Sequence, residues 1–103
     1  MTYRLRISRR ALADADEAYE WMCDNLSQSY ADRWYEGLLA TIEELALQPM
    51  LHPHAMESHE HPIPIREALY GRRKSRHRIL FTVQDDEVVV LYIHHSSRGK
   101  LEP

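Results

Sequence analysis

The first residues of the chain alternate between apolar and charged side chains. Apolar residues occupy positions 3, 5 and 7, and Arg4 and Arg6 lie between them, which is the pattern of a strand with one buried face. Ser8 then stands where a helix N-cap is expected. From residue 11 to residue 26, apolar side chains recur every three or four positions, with acidic side chains largely outside that stripe. This pattern predicts a strand followed by an amphipathic helix.

A second helical stripe follows a break at residues 25–29, which are rich in cap-forming side chains. Its apolar positions run from Ala31 to Ala46, and Pro49 ends it. Two amphipathic helices joined by so short a connection usually form an antiparallel hairpin, which buries both stripes. We therefore expect a helical hairpin that packs partly on itself and partly on a sheet.

The second half of the chain predicts strands separated by turns. Residues 49–64 contain four prolines and four histidines without a helix or strand period, which predicts a loop. Short strands are predicted at residues 65–69 and 78–83, with a basic turn between them at residues 70–77. After a turn at residues 84–87, residues 88–94 are apolar on both faces and predict an interior strand.

This order of elements is β-α-α-β-β-β, an α+β fold in which the N-terminal helical hairpin covers one face of a small, mainly antiparallel sheet. The other face is expected to stay open for a partner or substrate. A chain of 103 residues fits one domain, so we assign residues 1–103 to a single unit.

Composition narrows the class of protein. Hydrophobic residues make up 44% and charged residues 28%, as in ordinary globular proteins. No apolar run approaches the ~20 residues needed to span a bilayer, and the basic N-terminus lacks the apolar stretch of a signal peptide. Cys23 has no second cysteine to pair with and lies within a helical stripe, which favours a packing role in a reducing compartment. We expect a cytoplasmic protein with no membrane partner.

Charge is distributed unevenly along the chain. The formal net charge is −3, but residues 11–60 hold eleven acidic side chains against Arg33 alone. Residues 1–10 carry four arginines, and residues 61–103 carry eight basic and five acidic side chains. The basic charge therefore belongs to the strands and their turns rather than to the helices.

The strongest local charge signal is the segment from Tyr70 to Arg78. Most of its basic residues fall in a predicted hairpin turn, where they are either a solvated turn or a patch that binds phosphate or acidic groups. Arg78 differs because it opens a strand, so the sheet should hold its guanidinium as a fixed fork for phosphate or carboxylate. The candidate target- or phosphate-binding residues are Arg66, Arg72, Arg73, Lys74 and Arg76.

A second candidate site lies where the last strand ends, at residues 94–98. A histidine can transfer protons near neutral pH, and an arginine can stabilise a developing phosphorane. Arg78, His95 and Arg98 are therefore the candidate catalytic residues for phosphodiester cleavage. The alternative is that the histidines are ordinary surface residues at a strand end.

The histidine-rich loop offers a third candidate, because two His-x-His pairs can direct imidazoles to one side of an extended chain. Its histidines are His52, His54, His59 and His61. No cysteine and no further spaced ligand accompanies them. We predict no metal and no cofactor, and metal binding by this loop stays open.

Taken together, these segments resemble the RelE/ParE superfamily of type II toxin–antitoxin toxins, often called plasmid stabilisation proteins. The likeness covers nearly the whole chain and rests on the order and spacing of the motifs. The segments that carry it are residues 3–8 with Ala11, Ala31 and Leu38, Leu45 followed by Pro49, residues 65–67, residues 78–81, residues 85–88 and residues 95–98.

The resemblance implies a toxin that a cognate antitoxin neutralises by wrapping its sheet and helices, which makes a hetero-oligomer. RelE-like members cleave mRNA on the ribosome without a metal, and ParE-like members inhibit DNA gyrase. In RelE-like members, arginines matching Arg78 and Arg98 contact the scissile phosphate, and a tail tyrosine or histidine often contributes. Only five residues follow Arg98, and none of them is tyrosine.

The sequence pI near 6.1 also departs from the basic character of most ribosome-dependent nucleases. Our leading hypothesis is therefore a ParE-like toxin with gyrase as the implied target. The first alternative is a RelE-like, metal-independent endoribonuclease in which His95 replaces the usual proton-transfer group. The second is a binding module on the same fold that has lost toxicity.

Overall fold

The computed structural model describes residues 2–72 and 76–95. Its elements follow the predicted order, and the α+β class is confirmed. The strands are β1 (Arg4–Ile7), β2 (Arg66–Tyr70), β3 (His77–Gln84) and β4 (Glu87–His95), and the helices are α1 (Arg9–Asn25) and α2 (Gln28–Leu45).

Both helices begin at serine side chains that cap free backbone N–H groups. The Ser8 hydroxyl accepts from the Ala11 N–H at 3.0 Å, and the Ser27 hydroxyl accepts from the Tyr30 N–H at 3.1 Å. Each cap satisfies a donor that the first helical turn leaves unpaired, which is worth about 1 kcal/mol. The two residues between the helices, Leu26 and Ser27, therefore reverse the chain and start α2 at a defined residue.

The four strands form one mixed sheet in the order β1-β4-β3-β2. The β2-β3-β4 meander is antiparallel, and β1 adds to β4 in parallel, with Ile7 opposite Val90. The β4 strand is therefore interior, as its apolar sequence predicted. A register shift between β3 and β4 at Leu80 and Phe81 gives β4 one extra residue there.

The helical hairpin covers one face of this sheet and forms the main core with it. Fully buried side chains from both layers meet there, and each contributes about 1.5–3 kcal/mol by leaving water. Two tyrosines also link the helices, since the Tyr19 hydroxyl donates to Asp32 at 2.5 Å and the Tyr35 hydroxyl donates to Asp16 at 3.3 Å. The largest buried side chains of this core are Leu38, Ile42, Leu45, Ile79, Phe81, Val88 and Val90.

The second face is only half open, which corrects the prediction of a free surface. Residues 49–65, here called the cover segment, contain short 3-10 helices at Pro49–Leu51 and Met56–Glu60 rather than a featureless loop. Ala55 and Ile65 pack on Leu80 of β3 and make a second, smaller core. The Ala55 N–H donates to the Ile65 carbonyl at 2.8 Å, so the segment closes on itself over β3.

Gly37 of α2 and Tyr70 of β2 come close together in this packing. An added Cβ at Gly37 would lie 2.2 Å from the hydroxyl oxygen of Tyr70, which itself donates to the Trp34 carbonyl at 2.8 Å. We expect Gly37→Ala to lower the free energy of unfolding by roughly 1–3 kcal/mol because overpacking outweighs the gain of about 1 kcal/mol in helix propensity. Urea denaturation measures the change.

The matched control places the same substitution in a Tyr70→Phe background. Without the hydroxyl, Gly37→Ala should cost clearly less than it does in the natural chain. An equal cost in both backgrounds, or a stabilised single variant, would contradict the assigned contact.

Candidate functional site

Arg78, the predicted phosphate-binding residue of β3, is buried beneath the cover segment. Its side chain is 6% exposed, and its guanidinium donates to both carboxylate oxygens of Glu57, from Nη1 at 3.0 Å and from Nη2 at 2.7 Å. Its Nε donates to Glu67 of β2. The Arg78 guanidinium is therefore held rigidly, as the sequence predicted. Its donors, however, are already bonded to two carboxylates of the same chain.

The electrostatics of this ion triad favour a charged arginine. The hydrogen bonds that Arg78 donates to Glu57 raise the pKa of Arg78, against the opposing effect of burial. Removing one partner of a buried pair leaves an uncompensated charge in a poorly solvated place, which is more costly than losing an exposed pair. Glu57, Glu67 and Arg78 therefore fasten the cover segment to β2 and β3.

His95, the predicted proton-transfer residue, lies on the other side of the sheet. Paired residues of antiparallel strands share a face, and the register pairs His95 with His77 and His94 with Arg78. The His77 ring packs 5.0 Å from Trp34 of α2 and 5.1 Å from His95, which places both on the helical face. The structure thus does not bring Arg78 and His95 together.

The remaining predicted basic residues have separate surroundings. Arg66 donates from Nη1 to the carbonyls of His52 at 2.6 Å and Met50 at 3.4 Å, so it fixes the start of the cover segment. Arg72 is exposed and Arg76 is half-buried beside the β2–β3 turn. Three predicted residues lie outside the described part of the chain: Arg73, Lys74 and Arg98.

Sequence reasoning did not identify Arg10, which the structure places beside His94 near the end of β4. Its Nη2 lies 3.4 Å from Nε2 of His94, and its guanidinium carbon lies 5.0 Å from the centre of the Tyr92 ring. Its Nε donates to Asp14 one helical turn later, at 3.0 Å. The sequence does show an excess of arginine in residues 1–10. Which residues these arginines contact depends on the pairing of β1 with β4, which the sequence alone does not reveal.

Contacts between α1 and the edge of β4 position this cluster. Beyond Val90, β4 extends past the end of β1, so its outer backbone groups have no strand partner there among the described residues. Side chains of Ser8 and α1 form hydrogen bonds with them instead. The Ser8 hydroxyl donates to the Leu91 carbonyl at 2.9 Å, and Asp14 accepts from the Ile93 N–H at 3.0 Å. Arg10 therefore reaches around the sheet edge from a helix that is fixed to it.

The half of the second face outside the cover segment carries a row of arginines. We call it the uncovered strip. Along it, Arg4 pairs with Asp86 at 3.0 Å and Arg6 pairs with Glu87 at 3.4 Å, and the Arg4 and Arg6 side chains are 72% and 60% exposed. Exposed pairs of this kind are weak and exchange partners easily. The uncovered strip consists of Arg4, Arg6, Arg10, Tyr92 and His94.

The described residues contain no cluster of three or more His, Cys, Asp or Glu side chains placed to hold a metal ion. The ring of His52, one of the predicted loop histidines, packs edge-on against Phe81 at 5.7 Å. His54 forms a backbone bridge with Arg66 at the edge of β2. These two histidines therefore make structural contacts with β2 and β3. Across residues 2–72 and 76–95, neither helix has the length and apolar character that a membrane crossing requires.

This chain is similar to known proteins in both sequence and fold. The family model described as the ParE toxin of type II toxin–antitoxin systems matches residues 5–99. A structure of the chromosomal ParDE toxin–antitoxin system from P. aeruginosa is similar at a TM-score of 0.75 and 20% identity, covering 91% of this chain and 96% of that one. A mutant of the E. coli toxin RelE in the free state is similar at a TM-score of 0.59 and 18% identity, covering 96% and 88%. No curated protein sequence matches significantly.

The ion triad can be tested by removing Glu57. We expect Glu57→Ala to lower the free energy of unfolding by about 3 kcal/mol or more, because Arg78 then loses the carboxylate that accepts from both of its terminal nitrogens. Denaturant unfolding followed by circular dichroism measures the loss. Asp86→Ala is the matched control, since it removes the carboxylate partner of the exposed Arg4 and should cost less than about 1 kcal/mol. Equal losses from the two variants would argue that the triad does not hold the cover segment.

Proposed function

The chain belongs to the ParE toxin family of type II toxin–antitoxin systems, and from this premise we propose that it acts by binding a macromolecular target. DNA gyrase is the target that the ParE-like resemblance implies. The observation that carries the proposal is the family match across residues 5–99, which span both helices and all four strands apart from the first residue of β1.

The geometry of the candidate catalytic residues supports binding over phosphodiester cleavage. A cleaving site needs its proton-transfer group and its charge-stabilising group around one scissile phosphate. Arg78 is enclosed by Glu57 and Glu67, and His95 faces the opposite side of the sheet. The sequence pI of 6.1 supports the same conclusion, because ribosome-dependent nucleases are commonly basic over the whole chain.

A cognate antitoxin is the second proposed partner, in a cytoplasmic hetero-oligomer. Apolar side chains on the outside of the molecule support such a partner, because clustered exposed apolar surface commonly marks an interface. Trp21 of α1 is 58% exposed, and Leu26 at the end of that helix is 55% exposed. Leu47 and Leu51, which follow α2, are 60% and 77% exposed. An antitoxin segment that wraps helices and sheet would cover both groups.

The alternative function is a RelE-like, ribosome-dependent endoribonuclease that uses no metal. The fold similarity to RelE favours it, as do two histidines at the end of β4. In this alternative Arg78 and Arg98 stabilise the phosphorane and His95 transfers the proton. Arg78 would then have to leave Glu57 and Glu67 in the ribosome-bound state, so the cover segment would have to move.

The leading proposal predicts inhibition of gyrase by the purified protein. Supercoiling of relaxed plasmid by gyrase, followed on agarose gels, should fall as the protein is added. Relaxation of the same plasmid by a type I topoisomerase is the control and should not change. Full supercoiling in the presence of excess folded protein would count against gyrase as the target.

The same proposal predicts no translation-dependent mRNA cuts. Primer extension on an mRNA translated in a reconstituted system, with and without the protein, measures them. The alternative predicts new cut sites that disappear in His95→Ala, a variant chosen because His95 lies outside the ion triad, with its fold checked by circular dichroism. Cuts made by the natural chain and lost in His95→Ala would replace the binding proposal with the nuclease.

A further inference from the structure

The guanidinium of Arg10 is held in one place by groups from two elements. Asp14 on α1 accepts from Nε at 3.0 Å, the Tyr92 ring on β4 lies 5.0 Å below the guanidinium carbon, and His94 Nε2 lies 3.4 Å from Nη2. The Arg10 side chain nevertheless remains 56% exposed. An arginine that is oriented in advance and still open to solvent loses little freedom when it binds a further anion.

Helix stability does not explain this placement. Arg10 lies in the first turn of α1, where the aligned peptide dipoles disfavour positive charge, and that turn holds no acidic residue. Its pair with Asp14 also has the less favourable orientation, with the cation nearer the helix N-terminus. Arg9 adds a second cation beside it. The charge at this helix start therefore needs a different explanation.

The arginines of β1 continue the charge along the same face. Arg4 and Arg6 are two residues apart in an extended strand, so their Cα atoms are separated by roughly 6.6 Å. Their carboxylate partners belong to exposed pairs, which a stronger anion can displace. The uncovered strip thus presents three arginines in a row beside an aromatic ring and an imidazole.

We propose that Arg10, Tyr92 and His94 form a binding site for a phosphate group of a nucleic acid backbone, with Arg6 and Arg4 contacting neighbouring phosphates. A guanidinium matches two phosphate oxygens at once, and the His94 ring beside it helps to fix the orientation of that guanidinium. A repeating anion fits a row of spaced cations better than a single carboxylate does. The site uses neither Arg78 nor His95 as a ligand, and it requires neither gyrase inhibition nor mRNA cleavage.

The test is fluorescence anisotropy of labelled oligonucleotides with the full chain over a range of salt concentrations. Single-stranded RNA, single-stranded DNA and duplex DNA of one sequence distinguish the sources of the phosphate. We expect Arg10→Gln to weaken binding about tenfold and to reduce the salt slope by about one. Tyr92→Leu, which keeps every charge, should weaken binding roughly threefold.

Arg33→Gln on α2 is the matched control, because it changes the net charge by the same amount at an exposed position on the acidic hairpin. It should leave the affinity within twofold of the natural chain. Equal weakening by Arg10→Gln and Arg33→Gln would overturn the site, and so would a lack of binding at low salt. Equally effective competition by a poly-glutamate peptide would assign the strip to an acidic protein segment instead.

Discussion

The buried triad of Arg78 with Glu57 and Glu67 is the interaction on which the second face of the sheet depends. The cover segment has only a small apolar core of its own, made by Ala55 and Ile65 against Leu80. So little apolar contact offers limited stabilisation to a segment of this length. The carboxylate of Glu57, 2% exposed in the folded chain, would face a heavy desolvation cost without the guanidinium. The position of the cover segment therefore depends on the ion pairs that the positively charged Arg78 makes with Glu57 and Glu67.

This constraint divides the sheet into surfaces with different roles. The helical hairpin covers one face, and the cover segment covers part of β2 and β3 on the other. Beside it, the exposed Arg4 and Arg6 side chains of β1 extend from that face into solvent. Most of the acidic side chains belong to the opposite layer and its connections, so the protein has an oriented charge distribution despite a net charge of only −3. An oriented field of this kind guides an anionic partner to one side of the molecule.

Local patterns were sufficient to predict the elements, whereas the candidate site depended on contacts between distant residues. Ser8, Ser27 and the alternation in β1 act over a few residues, so the caps and strands were accessible from the sequence alone. The contacts that Arg78 and Arg10 make could not be predicted from the sequence alone. Arg78 meets Glu57 from a segment without periodicity, and Arg10 meets Tyr92 and His94 across 82 and 84 positions because β1 pairs in parallel with β4.

The relation between Arg78 and His95 illustrates the same limit. Each lies at a strand end, and a strand end alone does not say which face a side chain occupies. The facing follows from the register that pairs His77 with His95, and that register is set by the hairpin turn and the extra residue in β4. A single position of slip would have placed His95 on the face of Arg78. Chemistry inferred from strand ends therefore needs the register before it can be assigned to a site.

Growth after induced expression tests whether this chain is a toxin. The full chain is expressed from a tightly controlled promoter in a host without a cognate antitoxin, and viable counts are followed over time. We expect growth to stop soon after induction. Normal growth of cells that accumulate soluble, folded protein would contradict it and would leave a binding module without toxicity.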